Sequence, residues 1–206
     1  MDTTETTPGD AFRAVLCGDG LRRCPWAPAD PGTLAEHDHR WGDPPRDAAG
    51  WFEALCLEIL QAGLARGALA RRREGLEQAL RGFDPVALAA LTEDDVDDLV
   101  LDPRVIRNRV KLEALVHDAR ACAGLGAEQW EQLVADLRPE HPAAPRTALE
   151  LPARSAAGGT LAGRLRQRGV VFVGPTTAHQ VLLRTGVLPG HLAGCFRAGT
   201  GSAGSG

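Results

Sequence analysis

Two pairs of cysteine and histidine residues lie near opposite ends of the chain, at spacings typical of metal ligands. Twelve residues separate Cys24 from His37, and three separate His191 from Cys195. A Cys2His2 set suits the tetrahedral, borderline-soft preference of Zn²⁺, and each short spacing lets one loop or turn present two ligands. Because 153 residues lie between the pairs, a shared ion would join the two ends of a whole domain. From spacing alone, two unrelated pairs explain the pattern equally well.

One carboxylate, Glu58, stands alone in the apolar segment between Glu53 and Arg66. On a helix it shares one face with Trp51 and Leu55, which predicts a buried position. Burying an unpaired carboxylate costs roughly several kcal/mol, so such a residue needs a partner or a function. Two interpretations follow: a core glutamate bonded to an arginine or to backbone amides, and a carboxylate that lines a binding site.

Composition limits the class of protein. A chain of 206 residues is long enough for one domain with a real core, or for two small lobes that share one. The net charge of −4 and a pI near 5.9 are unusual for a nonspecific nucleic-acid binder, so DNA binding would require a local basic face. An odd number of cysteines, with no apolar signal sequence and no membrane-length apolar run, predicts a cytoplasmic protein without a disulfide framework or membrane association.

Hydrophobic periodicity predicts an all-α domain between two tails. We expect a disordered tail over residues 1–20, the folded domain over 21–196 and a flexible tail over 197–206. Segment 50–65 is apolar on nearly every helical face, which predicts a buried central helix. The strand-like stretch VVFVG at 170–174 is the exception to the helical pattern.

Capping residues predict a pair of helices joined by a tight turn. Asp84 directly before Pro85 is typical of a helix start. Thr92, with an acid three residues later, forms a capping-box pattern for a second helix, which Pro103 ends. A helical pattern resumes at Val105 after a very short turn. The helix that starts at Thr92, the turn at Pro103 and the helix that resumes at Val105 together predict a helical hairpin.

Several segments resemble the bacterial 3-methyladenine DNA glycosylase I family, from about Arg22 to Cys195. They include RCPW (23–26), LCLEILQAGL (55–64), GFDPVALAALTEDDVDDLV (82–100), VIRNRVKLEALVHDARA (105–121), RGVVFVGPTT (168–177) and GHLAGC (190–195). The resemblance implies a helix-hairpin-helix DNA glycosylase fold, in which VVFVG lies in a connection between helices. It also implies one structural zinc ion, held by residues that match Cys24, His37, His191 and Cys195.

The resemblance also implies a pocket for an extruded base. Glu58 matches the glutamate that recognises the methylated adenine, and its negative charge suits a cationic alkylated base. Trp26 and Trp41 stand at family positions and are expected to supply an apolar wall. Asp38, next to the ligand His37, is expected either to line the pocket or to orient the histidine.

Four basic residues at the expected hairpin imply a DNA-binding surface. A helix-hairpin-helix binds phosphates through backbone amides and nearby basic side chains, without reading sequence. The alternative for any one of these residues is a solvated helix face. The four are Arg104, Arg107, Arg109 and Lys111.

Three positions depart from the family pattern. Glu36 replaces a tyrosine that precedes the zinc-binding histidine, Arg66 replaces a stacking tryptophan, and His179 replaces a tyrosine downstream of the GPTT segment. Glu36 and Arg66 are still expected to contribute to substrate binding. Stacking on an aromatic ring is worth about 1–3 kcal/mol per base, so these changes predict weaker capture of the base. An arginine can stack on a base, although it repels a cationic one.

The function implied by the resemblance is hydrolysis of the N-glycosidic bond of 3-methyladenine in alkylated double-stranded DNA, after base flipping. We expect a monomeric, monofunctional enzyme with Glu58 as its catalytic residue. Two alternatives remain: the same fold acting on a different or bulkier alkyl adduct, and a non-catalytic module that binds DNA or its lesions.

Overall fold

The structure, a computed structural model, describes residues 12–65 and 67–199. These residues form nine α-helices and one two-stranded antiparallel hairpin, so the prediction of a mostly helical fold is confirmed, whereas the hairpin was not predicted. The strands are β1 (Val15–Leu16) and β2 (Arg22–Arg23). The helices are α1 (Pro31–His39), α2 (Ala48–Gln61), α3 (Arg73–Ala79), α4 (Pro85–Ala89), α5 (Glu93–Leu101), α6 (Arg109–Cys122), α7 (Ala127–Val134), α8 (Ala156–Gln167) and α9 (Pro175–Arg184). Within the described ranges, none of them combines the length and apolarity needed to cross a membrane.

Helix α2 is the centre of the fold, as its apolar sequence predicts. It packs against α6, α7 and α9, and nine of its residues are buried. The ring of Trp51 stacks on that of Trp130 in α7, with centroids 6.0 Å apart and planes inclined by 4°. Asp47 caps the first turn by accepting a hydrogen bond from the Gly50 N–H at 2.8 Å. Burial against several neighbours, rather than intrinsic helix propensity, therefore stabilises α2.

The predicted capping residues of α4 and α5 are confirmed, but α6, the helix that follows α5, starts later than predicted. Asp84 caps α4, and Thr92 forms a full capping box at the start of α5. Helix α5 ends at Leu101, while α6 begins only at Arg109. The Asn108 side chain caps α6 by accepting a hydrogen bond from the Lys111 backbone N–H. The connection 102–108 is thus longer than expected, because the cap residue lies beyond the apolar residues that suggested the earlier start.

The two ends of the domain pack together, and the ordered part extends past both boundaries expected from the sequence. Ala14, within the segment expected to be a disordered tail, is buried beside Leu192. The Phe196 N–H donates a hydrogen bond to the Arg22 carbonyl at 2.8 Å. Arg197 forms an ion pair with Asp43. Residues 1–11, Arg66 and residues 200–206 lie outside the described residues, so the remaining expectations for the tails and for Arg66 stay predictions.

Segment 168–174, which contains the strand-like stretch, is a loop between α8 and α9, as the family resemblance implied. The Val171 N–H donates to Asp118 Oδ1 of α6 at 2.7 Å. Asp118 is fully buried and its other oxygen has no hydrogen-bond partner among the described residues. Burial therefore raises the pKa of the Asp118 carboxyl from 3.8 to about 6, against the lowering effect of the Val171 bond.

We predict that Asp118→Asn flattens the pH dependence of stability. Because Asp118 has a pKa of about 6 in the folded protein and 3.8 when exposed, the folded state binds more protons between these values, and stability falls as pH rises through that window. The asparagine oxygen can still accept the Val171 hydrogen bond, without a buried charge. The free energy of unfolding in urea, measured from pH 4 to pH 7, should fall less steeply in the variant. Exposed Asp98→Asn is the matched control, and an unchanged slope in Asp118→Asn would assign the titration to another group.

Candidate functional site

The two Cys/His pairs meet in one buried cluster. Cys24 follows β2, His37 lies in α1, and His191 and Cys195 belong to the segment after α9. All four side chains are buried, and one ligand atom from each lies within 4.8 Å of the others. The pairs are therefore not independent, and their convergence could hold a metal ion.

The distances within the cluster fit a tetrahedral ion. Cys195 Sγ lies 3.4 Å from His37 Nε2 and 3.8 Å from His191 Nδ1, and Cys24 Sγ also lies 3.8 Å from His191 Nδ1. For Zn²⁺, sulfur bonds near 2.3 Å and nitrogen bonds near 2.0–2.1 Å imply a sulfur–nitrogen separation of about 3.6 Å. These three separations lie close to that value, so the four residues could hold a metal ion.

Both histidines are oriented through the ring nitrogen that faces away from the cluster. His37 Nδ1 lies 2.8 Å from Asp38 Oδ1, and His191 Nε2 lies 2.9 Å from the Trp41 carbonyl oxygen. Each of these nitrogens donates its proton, which leaves the inward nitrogen free to bind a metal. Asp38 is held in turn by Arg23, 2.8 Å away.

The two sulfur atoms of the cluster accept hydrogen bonds from backbone N–H groups. The Leu192 N–H donates to Cys24 Sγ and the Arg197 N–H to Cys195 Sγ, each at 3.4 Å. The Cys24 thiol lowers the pKa of Cys195, and His191 and His37 add to this effect. A thiolate, the form that binds metals, is therefore favoured at Cys195.

A glycine lets the cluster approach the residues of a neighbouring cavity. Gly42 has φ +86°, and a Cβ there would lie 2.7 Å from His191 Nε2. The preceding Trp41 bonds His191 through its backbone, and its ring makes an edge-to-face contact with Trp26 at 5.1 Å. Both tryptophan rings line the cavity. The Cys/His cluster thus supports one wall of the cavity.

The cavity has a volume of about 380 Å³, within the usual range for small-molecule sites. Its wall is formed mainly by residues of α1, α2 and α9, by residues on either side of α1, and by the segment from the end of α2 to the start of α3. It combines two tryptophans with two acidic and two basic side chains, namely Trp26, Trp41, Glu36, Glu58, Arg73 and Arg184.

Arg184 joins the two acidic side chains of the cavity. Its Nε donates to Glu58 Oε1 at 2.6 Å, and its Nη1 donates to Glu36 Oε1. Burial opposes ionisation of Glu36, but Arg184 and Arg73 outweigh it and lower the pKa of this carboxyl. Burial likewise acts against the Arg184 charge, yet Glu58 and Glu36 raise its pKa. Both interpretations of Glu58 are thus partly satisfied, because it has an arginine partner and also lines the cavity.

Arg184 and Arg73 were not predicted from the sequence to belong to the site. Arg184 ends the apolar run VLLR of α9, so a charge within an apolar segment, the feature that singled out Glu58, was available there too. Arg73 lies 4.0 Å from Glu36 and also pairs with Glu53. Nothing local in the sequence indicates this contact, because the partners come from separate elements.

Asp38 and His179 do not belong to the cavity wall that the structure describes. Asp38 is absent from the described cavity lining, since its carboxylate faces His37 and Arg23. His179 is buried between α8 and α9, where its Nδ1 lies 2.9 Å from the hydroxyl of Ser155, the capping residue of α8. Burial lowers the pKa of the His179 ring. His179 therefore belongs to a helix interface and not to the cavity wall.

The four basic residues of the α5–α6 hairpin differ in their surroundings. Arg104 pairs with Asp102 at 2.6 Å, and Arg109 pairs with Asp97 at 2.5 Å. Arg107 is exposed and makes no hydrogen bond or ion pair to a residue that the structure describes. Lys111 Nζ donates to the Leu60 and Ala62 carbonyls at the end of α2. The last contact is structural, because a cation at a helix C-terminus satisfies carbonyls that have no partner within the helix.

Comparisons with known proteins agree with this architecture. The family model described as methyladenine glycosylase matches residues 26–198. DNA-3-methyladenine glycosylase 1 of Escherichia coli is 35% identical over 179 residues, which span 85% of this chain and 96% of that relative.

Two solved structures share the fold. A crystal structure of 3-methyladenine DNA glycosylase I has a TM-score of 0.77 and 33% identity, covering 84% of this chain and 98% of that one. A point variant of 3-methyladenine DNA glycosylase I, in complex with 3-methyladenine, has a TM-score of 0.74 and 30% identity, covering 82% of this chain and 94% of that one.

Proposed function

The chain belongs to the methyladenine glycosylase family, and we propose that it excises 3-methyladenine from alkylated double-stranded DNA by hydrolysing the N-glycosidic bond. The observation that carries this proposal is the Glu58 carboxylate on the wall of a cavity of about 380 Å³, beside two tryptophan rings. An enzyme that acts on a base within a duplex must flip that base into such a pocket. The relative bound to 3-methyladenine supports the same substrate.

Glu58 is positioned to recognise the extruded base. Its Oε1 accepts from Arg184, while its Oε2 makes no hydrogen bond within the described part of the chain. That oxygen can accept a hydrogen bond from the adenine amino group. Trp26 and Trp41 offer apolar surface to the base.

Little acid catalysis is needed for this substrate. Methylation at N3 makes adenine a cation and a good leaving group, so extruding the base and positioning water for attack on the sugar can supply most of the rate. The negative charge of Glu58 would contribute by attracting the cationic base into the cavity. We assign no general base. Lys111 contributes indirectly, because its contact with the end of α2 holds the turn of helix that carries Glu58.

We infer that the metal centre holds one structural zinc ion. Four protein ligands leave no coordination position for a reacting water, so the ion would supply stability rather than chemistry. Cys24, His37, His191 and Cys195 would hold it, with Asp38 orienting His37.

The DNA-binding element in this proposal is the α5–α6 helix-hairpin-helix. The exposed N-terminus of α6 can present backbone N–H groups to phosphate, and Arg107 adds a cation without an intramolecular partner among the described residues. The exposed ion pairs of Arg104 and Arg109 are weak, so phosphate can replace their carboxylates. We propose that Lys111 acts mainly on α2.

A second candidate is the same reaction on a different alkylated base. Glu36, which lies on the cavity wall at a position where the family resemblance implied a tyrosine, favours it. Analysis of the bases released from DNA treated with different alkylating agents distinguishes the two.

We predict that Glu58→Gln reduces 3-methyladenine release. Loss of the carboxylate charge removes stabilisation of the cationic base, and a decrease of at least about tenfold, which corresponds to about 1.4 kcal/mol, is expected in single-turnover release from methylated duplex DNA. Binding to undamaged DNA and metal content should stay unchanged, as should release by the exposed control Glu128→Gln. If the wild type released no base from any alkylated DNA, the enzyme assignment would be wrong and a lesion-binding module would remain.

We predict about one zinc ion per chain. Elemental analysis after desalting should find it, and Cys24→Ser or His191→Ala should lose it and lower the thermal midpoint, because metal binding is coupled to folding. Cys17→Ser, outside the cluster, is the control. A metal-free wild type that keeps the same midpoint in a chelator contradicts a structural zinc site.

We predict that Arg107→Ala weakens binding to all duplexes similarly, whatever their sequence. One phosphate contact fewer should also reduce the slope of log K against log salt by about one unit, as measured by fluorescence anisotropy. Arg138→Ala, which removes an exposed arginine paired with Glu131, is the control. Equal affinities and slopes for Arg107→Ala and the wild type would place the DNA surface elsewhere.

A further inference from the structure

The cavity holds two carboxylates on one guanidinium, a combination that the proposed function does not by itself require. The Arg184 side chain is 16% exposed, and those of Glu36 and Glu58 are 10% and 8% exposed. Arg184 uses separate nitrogens for the two acids. The three side chains form one fork in which a single positive charge lies between two negative charges.

The fourth charged residue of the wall is already paired outside the cavity. Arg73 forms an ion pair with Glu53, which does not belong to the described lining, and approaches Glu36 only to 4.0 Å. Arg73 also lowers the pKa of the Glu36 carboxyl, but Arg73 and Arg184 carry only two positive charges against the three negative charges of Glu36, Glu53 and Glu58. The Glu36–Arg184–Glu58 fork is left with one net negative charge, the complement of a base that carries one positive charge.

The fork also leaves one acceptor for the base. Glu36 Oε2 is buried and has no hydrogen-bond partner among the described residues, so it lies away from the open part of the cavity. Glu58 Oε2 is not buried in this way, and Arg184 holds Glu58 through its other oxygen. Arg184 thus determines which carboxylate oxygen faces the ligand.

We propose that Arg184 is a specificity-determining residue, which cancels one of the two cavity carboxylates and so leaves a single negative charge, at Glu58, for a cationic extruded base. The proposal rests on the proposed base-excision function. Glu36 supplies the carboxylate that Arg184 neutralises. Removing either residue alone would change the net charge of the fork, whereas removing both would leave it at one negative charge.

Removing the two residues singly should therefore do more harm than removing both. Arg184→Gln leaves two adjacent carboxylates that repel each other and no longer hold Glu58 in place. Glu36→Gln leaves an Arg184–Glu58 pair with no net charge, so attraction for a cation is lost. Glu36→Gln with Arg184→Gln restores one negative charge at Glu58.

A double-mutant cycle tests this coupling. Single-turnover release of 3-methyladenine, with its maximal rate and half-saturating enzyme concentration, is measured for the wild type, both single variants and the double variant. We expect each single variant to lose about tenfold or more and the double variant to recover to within about threefold of the wild type. Arg164→Gln, which removes an arginine paired with exposed Asp136, is the matched control. Thermal midpoints and metal content identify any variant that fails to fold.

A second measurement separates charge recognition from a purely structural role. Binding is measured to duplexes that contain 3-deaza-3-methyladenine, a neutral analogue whose glycosidic bond is stable. Glu36→Gln should bind this duplex within about twofold of the wild type while losing about tenfold on the cationic base, because only the second depends on the net charge. A structural defect would weaken both equally and would overturn the proposal.

The remaining outcomes are also decisive. Additive losses in the double variant, or an Arg184→Gln variant as active as the wild type, would overturn the role of Arg184 while leaving the base-excision function standing. A wild type that releases no 3-methyladenine would overturn both.

Discussion

The rest of the site depends on the meeting of Cys24, His37, His191 and Cys195. These residues join α1 and the segment before it to the segment after α9, and no strand pairing among the described residues connects those ends. The neighbouring side chains use the same anchor: Glu36 precedes a ligand in α1, and Trp41 bonds His191 through its carbonyl while its ring lines the cavity. The Cys/His cluster can thus determine the geometry of the neighbouring cavity wall through Glu36 and Trp41.

The two buried carboxylates of the cavity wall, Glu36 and Glu58, are stabilised by one arginine, Arg184. A carboxylate in an apolar helix would be costly alone, and a second carboxylate would add repulsion. Arg184, reaching from α9 to α2 and α1, makes both tolerable and joins three helices through one guanidinium. The same ion pairs that stabilise this packing decide how much negative charge remains for a ligand, so stability and specificity are coupled here.

The hairpin and the cavity are connected through Lys111. This residue lies in the second helix of the hairpin, yet its ammonium group binds the carbonyls that end α2, the helix that carries Glu58. DNA held at the hairpin would therefore have a fixed position relative to the base cavity. The carboxylates of Asp97 and Asp102 pair with Arg109 and Arg104, and other acids of α5 are exposed, so the surface of α5 and α6 carries charges of both signs.

Local chemistry was enough to predict much of this protein. The apolar run of α2, the caps at Asp84 and Thr92, and the metal-ligand spacing of the two Cys/His pairs each depend on neighbouring residues, so the sequence by itself determined the helical class, several helix starts and the likeness to a glycosylase family. Arg184 as the partner of Glu58, the Trp41 carbonyl as the partner of His191, and the burial of Ala14 depend on groups far apart in the chain. Only the tertiary structure decided those contacts, because an ion pair or a packed end is set by the positions of separate elements, which residue type and spacing do not specify.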